Sequence, residues 1–183
     1  SKAISKIFKL KKRPKNNPLI VHYSSIKMLK RDCILNKNFT NLYNKFCPGP
    51  LTFILKLKKD SKISKFVTNK KKTLAVRFPS HPRAKSLLKI LNYPLAAPSA
   101  NISSRVSPVT KNHVKEEFGK KIKYIIEGGL SKIGLESTII NLIGKPEVLR
   151  IGSIDINKLS KALKRKLFSV SYTHLRAHET LTD

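Results

Sequence analysis

Six short runs rich in β-branched and aromatic residues recur along this chain, and no other feature narrows its fold as far. Pro18–Tyr23 (PLIVHY), Leu51–Leu57 (LTFILKL), Thr73–Phe78 (TLAVRF), Lys123–Gly129 (KYIIEGG), Ser137–Ile143 (STIINLI) and Glu147–Gly152 (EVLRIG) have the length and residue preferences of strands. Between them lie segments whose apolar residues return every three or four positions, which predicts helices over Ser24–Leu35, His81–Leu91, Thr110–Gly119 and Asp155–Leu167. Ser24 and Ser25 suit an N-cap, and Gly119 suits a helix end. Strands interleaved with helices predict an α/β (α+β) domain around a twisted sheet.

A chain of 183 residues with 40% hydrophobic residues is enough for one such domain with a real core. No apolar run approaches the ~20 residues of a membrane span, and no signal-peptide pattern follows the basic start. Cys33 and Cys47 have neither metal-ligand spacing nor a disulfide framework around them, so they read as reduced thiols of a cytoplasmic protein. The net charge of +29 suits a polyanion partner such as RNA. The lysines are nevertheless dispersed rather than gathered on one element, as the codon usage of an AT-rich genome would leave them.

Both ends depart from this pattern. The chain opens at Ser1, and its one methionine is Met28, as expected of a truncated start. From Ser169 the text changes to SVSYTHLRAHETLTD, without a lysine, directly after a lysine-rich helix. His174 and His178 are four apart and share a helical face, but two ligands do not close a metal site. Residues 1–168 are therefore read as the domain. Residues 169–183 are read as a non-native, adapter-derived or disordered tail.

The chemistry has to be carried by scattered groups. There is no phosphate loop: Gly129 and Gly134 have its glycine spacing, but Leu135 and Glu136 stand where Lys and Ser/Thr belong. No G-x-G-x-x-G, H-E-x-x-H or cysteine cluster is present, and no metal site is expected. Lys11, Lys12 and Arg13 precede Pro14, which stops a helix at a corner suited to gripping phosphates, or simply at a solvated basic turn. Arg77 interrupts an apolar strand end before Pro79 and Pro82, where a guanidinium can take a carboxylate or form a structural ion pair. In PLAAPSANISS, two prolines stiffen a small, uncharged segment whose Ser99 and Asn101 offer donors and acceptors without net charge. Ser137 and Thr138 form a hydroxyl pair near Gly134, and Arg150 is an isolated cation at a strand end.

Taken in order, Lys11 and Arg13 followed by Ser99 and Asn101 match a K-x-R…S-x-N signature. Around it stand RPKNNPLIVH, PGPLTFIL, AVRFPSHP, PLAAPSANIS, GLESTII and LRIGSI. Through these motifs, residues 4–167 resemble the YrdC-type domain of the threonylcarbamoyl-AMP synthases. The resemblance implies a single YrdC-like domain with a twisted mixed sheet, flanking helices and a concave basic binding surface. It implies a nucleotidyltransferase that forms L-threonylcarbamoyladenylate and pyrophosphate from ATP, L-threonine and bicarbonate, with Mg2+ on the phosphates. The product would pass to a tRNA threonylcarbamoyl transferase complex, and tRNA or double-stranded RNA is a further implied partner.

Residue by residue, the resemblance places Arg13, Asn17, Thr73, Ser99, Ser107 and Arg150 at nucleotide-contacting positions. It places His22, Arg77, Ala97 and Ser137 around threonine, with Arg77 on the carboxylate. Lys11, Arg13, Ser99 and Asn101 are the implied catalytic set. The family opens with a strand and turn resembling Y-P-T-E-T-x-Y-G-L, and nothing like it precedes Ser1, so the N-terminal strand is expected to be missing. Two other readings use the same residues. One is the carbamoyl-adenylating domain of a hydrogenase-maturation-type protein; the other is a non-catalytic double-stranded RNA-binding module.

Overall fold

The computed structural model of the chain describes residues 1–131 and 134–169. His174, His178 and the rest of the expected tail beyond Ser169 lie outside the described residues.

Helix α1 (Lys2–Lys11) buries Ile4 and Phe8, one turn apart on the same face. It ends where Lys12 takes a left-handed conformation (φ 50°) and the Arg13 amide donates to Phe8 O. Strand β1 (Ile20–His22) follows, then α2 (Ile26–Asp32), capped by the Ser25 hydroxyl, and β2 (Cys33–Ile34). The helix expected over Ser24–Leu35 thus stops early, because Cys33 and Ile34 pair with the end of a strand instead. Helix α3 (Lys37–Phe46) had not been expected; its Phe39 and Leu42 are fully buried.

The chain continues through β3 (Leu51–Leu57), α4 (Lys65–Thr68), β4 (Thr73–Arg77), α5 (Pro82–Ile90) and β5 (Leu95–Ala96). It is completed by α6 (Lys111–Phe118), β6 (Thr138–Asn141), β7 (Glu147–Arg150) and α7 (Ile156–Leu163). The expected strand Lys123–Gly129 does not form. Most of that segment is exposed and pairs with no strand, so its alternation of residues has no sheet edge to serve.

The sheet has the order β5–β1–β4–β3–β6–β7, with β2 joining β3. β1 runs parallel to β4, and β3 parallel to β6; the other pairs are antiparallel. Alternate residues give its two faces different fates. Val21, Val76, Phe53, Ile140 and Val148 face the helices and are at most 1% exposed; with Leu29, Phe39, Leu42 and Leu159 they form the core. The register aligns the intervening positions into one row across the sheet: His22 opposite Arg77, Arg77 opposite Thr52, Thr52 opposite Ile139 and Ile139 opposite Arg150. This second face is where polar side chains collect.

Candidate active site

Loops close over that polar row and make a cleft of about 310 Å³. The sheet brings His22 and Arg77, at the C-terminal ends of the parallel pair β1 and β4, and Arg150 at the end of β7. The segment after β5 rises from the sheet where Ala97 N donates to Ile20 O (3.0 Å), and it lines the cleft with Ala97 and Ser99, then Ser107. Arg13, in the turn after α1, and Ser137, at the start of β6, complete the set. Eight of the twelve positions expected from the sequence therefore meet in one cavity. A larger groove of about 1110 Å³ lies between α1, α2 and the β1–β5 edge, but none of the twelve lines it.

Backbone oxygens hold all three cations, and only Arg150 among them also has an acidic partner among the described residues. Arg13 donates from Nε to Asn17 O (3.1 Å) and from Nη2 to Asn17 Oδ1 (2.7 Å) and Pro18 O (3.0 Å). Asn17 thus braces Arg13 from behind instead of facing the cavity. Arg77 Nε donates to Gly49 O (3.2 Å) in the turn before β3, leaving its terminal nitrogens toward the cleft. Arg150 donates from Nε and Nη2 to Ser137 O (3.1 and 2.9 Å), and also pairs with Glu136. Gly152 lets that arrangement close: a Cβ there would stand 2.6 Å from Ser137 C and 2.7 Å from Thr138 N, with Glu136 O closer still.

Burial lowers the pKa of Arg13, and the nearby Arg150 adds to this while Glu136 opposes it. Burial followed by Arg150 does the same to Arg77. Three guanidiniums facing one another in a half-buried cleft are a site arranged for anions. His22 lies beside them, its pKa lowered to about 4 by burial and by Arg77. It therefore presents a neutral imidazole at neutral pH, and its Nδ1 is shut from solvent with no partner among the described residues.

Four expected positions lie off the cavity wall. Lys11 is 4% exposed, and its Nζ donates to Ser99 O (2.6 Å), Asn101 O and Asn101 Oδ1 (3.4 Å). Asn101 is 5% exposed, and its Nδ2 donates to Arg105 O (2.5 Å). Both signature residues are thus engaged in shaping the loop rather than facing the cleft. Asn17 is the third. Thr73 is the fourth: it opens β4 opposite Lys56, four residues before Arg77, so it stands roughly 13 Å along the strand from Arg77.

The hydroxyl pair also divides. Ser137 is 2% exposed and shares a hydrogen bond of 2.8 Å with Thr52 Oγ1, while Thr138 turns inward to bond the β7–α7 connection. Sequence reasoning passed over Glu136, a carboxylate on the cleft wall. Its position beside Ser137 in GLEST was the available signal.

Comparison with known proteins bears on the family and the fold. The Sua5/YciO/YrdC family, described as "Telomere recombination", matches residues 1–152. The threonylcarbamoyl-AMP synthase of Pyrococcus abyssi is 40% identical over 166 residues, covering 88% of this chain and 47% of that protein. The crystal structure of P. abyssi Sua5 complexed with L-threonine superposes with a TM-score of 0.86 at 37% identity, over 92% of this chain and 50% of that one. Full-length HypF matches with a TM-score of 0.71 over 82% of this chain and 24% of its own; at 18% identity, that likeness shows the fold alone. The chain spans about half the length of the curated relatives it matches. With the motif order, the sheet and the family match all in agreement, the chain belongs to the Sua5/YciO/YrdC family.

Proposed function

We propose that this chain carries the adenylating site of a threonylcarbamoyl-AMP synthase. The observation that carries the reading is the convergence of Arg13, Arg77 and Arg150 with Ser99, Ser107 and the neutral His22 on one cleft. ATP presents polyanionic phosphates, and threonine presents a carboxylate, a hydroxyl and an amine. In this reading Arg13 and Arg150 take phosphate oxygens, and Ser99 and Ser107 supply further hydrogen bonds to the nucleotide. Arg77 takes the threonine carboxylate with its free terminal nitrogens. His22, being neutral, hydrogen-bonds near the amino acid without repelling its ammonium group.

The reaction joins threonine's amine to the carbon of bicarbonate as a carbamate, with loss of water. A carbamate oxygen then attacks the α-phosphorus, forming the P–O bond as the bond to pyrophosphate breaks. No residue is asked to form a covalent intermediate; the site contributes position and opposing charge. Glu136 is the carboxylate on the cleft wall, and no cluster of three or more His, Cys, Asp or Glu suited to a metal occurs among the described residues. Such a wall fits Mg2+ held mainly by nucleotide phosphates, with Glu136 as the available protein ligand. When bound, the ion would offset charge on the phosphate oxygens. The mixed anhydride formed is reactive and must be consumed by an acyl transfer, here to tRNA by a partner transferase.

The test is pyrophosphate release from ATP with and without threonine and bicarbonate. Release that needs both supports the reading. ATP turnover dependent on carbamoyl phosphate and indifferent to threonine would move the assignment to carbamoyl adenylation. Salt-sensitive RNA binding without turnover would make the chain a binding module. Arg77→Ala should raise the KM for threonine about 10- to 100-fold, the value of charge-assisted hydrogen bonds, and leave ATP affinity unchanged. An unchanged KM would remove Arg77 from the threonine site.

A further inference from the structure

The loop that presents Ser99 and Ser107 touches the cleft at its two ends and not in its middle: Ala97–Ser99 and Ser107–Val109 line the cavity, whereas residues 101–105 do not. The middle is bracketed by two opposite charges. On one side Lys11 takes the carbonyls of Ser99 and Asn101, and its own carbonyl accepts from Ser103 N (2.9 Å). On the other side, Glu117 Oε1 accepts from the Ile102 amide at 2.8 Å, and Oε2 faces the Arg105 guanidinium at 3.3 Å.

Helix α6 makes Glu117 a firm anchor. Its start is capped by the Thr110 hydroxyl, which accepts from His113 N, and Phe118, next to Glu117, is 4% exposed in the interior. The helix terminates at Gly119, with φ 52°. Glu117 is therefore fixed near the end of a pinned helix, whereas its neighbour Glu116 is exposed.

We infer that Glu117 is a positioning residue for the nucleotide end of the site: by holding the Ile102 amide it fixes the loop on which Ser99 and Ser107 are carried. The inference deepens the proposed adenylating function and rests on it. The Ile102 bond and the Arg105 contact both hold the Glu117 carboxyl below its ordinary pKa. The Arg105 side chain is 64% exposed, which points to the amide rather than the solvent-screened ion pair as the working contact. Glu117 does not touch the cleft, so its effect must pass through the loop backbone.

The experiment compares Glu117→Ala, Glu117→Gln, Arg105→Ala and the control Glu116→Ala. ATP binding is measured by calorimetry, threonine KM by pyrophosphate release, and protection of the Ile102 amide by hydrogen exchange. Glu117→Ala should weaken ATP binding about tenfold, leave the threonine KM unchanged and deprotect Ile102. Glu117→Gln keeps an amide oxygen for Ile102 and should recover most of both ATP affinity and protection; Arg105→Ala and Glu116→Ala should match wild type. Wild-type ATP affinity in Glu117→Ala, or equal losses in the Ala and Gln variants, would overturn the inference. Failure of the wild-type chain to bind ATP would instead strike the functional reading, and the Ile102 exchange comparison would still decide whether Glu117 holds the loop.

Discussion

His22 stands in the register between Leu95 on β5 and Arg77 on β4, so the sheet itself sets its charge state. Its pKa falls from the ordinary 6.5 to about 4 because burial and Arg77 both oppose protonation. The unfolded chain binds this proton more readily than the folded one. The stability that His22 contributes is therefore complete above about pH 6.5, declines as the pH falls, and is lost below about 4; the full effect is roughly 3 kcal/mol. Urea midpoints of wild type and His22→Gln between pH 7 and 4 check this: wild type should lose stability faster on acidification. Parallel curves would mean that His22 titrates normally. At this scale, the residue types that bind anions were legible because arginines at strand ends and serines in stiff, uncharged loops are rare in so lysine-rich a chain. What was not legible was direction. Lys11 and Asn101 carry the signature yet turn inward, Thr73 sits at the opposite end of its strand from Arg77, and Glu117 on an exposed-looking helix reads as ordinary solvated charge.

Among the elements, β6 shows how one hydroxyl can set a connection. Thr138 is fully buried; its Oγ1 donates to Ile154 O (2.8 Å) and accepts from Gly152 N (3.0 Å) and Ile154 N (2.9 Å). These bonds tie β6 to the segment leaving β7, which in turn holds Arg150 against Ser137. Thr138→Val keeps the shape but strands the two amides and the carbonyl, and should cost about 1–3 kcal/mol in chemical denaturation. A loss of a few tenths would mean the amides find other partners. Strands such as Leu51–Leu57 and Thr73–Arg77 were readable because both their residue preferences and their burial point the same way. Lys123–Gly129 had the preference without a partner: its Gly128 O meets His81 Nε2 (3.0 Å) and its Glu127 meets Lys111 (2.5 Å), contacts that fix a loop rather than a strand. Helix α3 was hidden for the opposite reason, since asparagines and threonine mask the Phe39–Leu42–Tyr43–Phe46 spacing that packs against α7 and the sheet.

For the molecule as a whole, the question is what 39 basic residues against 10 acidic ones do to a fold whose described residues contain three ion pairs. The cleft draws its positive charge from Arg13, Arg77 and Arg150, and among the described residues no lysine lines it. The described lysines therefore stand off the cleft wall, and most of their charge faces other positive charge across solvent. Such self-repulsion destabilises the compact state and is screened over about 30 Å at 0.01 M salt but about 8 Å at 0.15 M. Raising NaCl from 10 to 300 mM should therefore raise the melting temperature by several degrees, the reverse of a protein held together by surface ion pairs. Glutamate substitutions at scattered exposed lysines such as Lys6, Lys62 and Lys115 should flatten that dependence while leaving ATP affinity near wild type. Should the same substitutions weaken ATP binding in step with the charge removed, the lysines would belong to the site's attracting field after all, and the dispersed charge would have a function beyond its arginines.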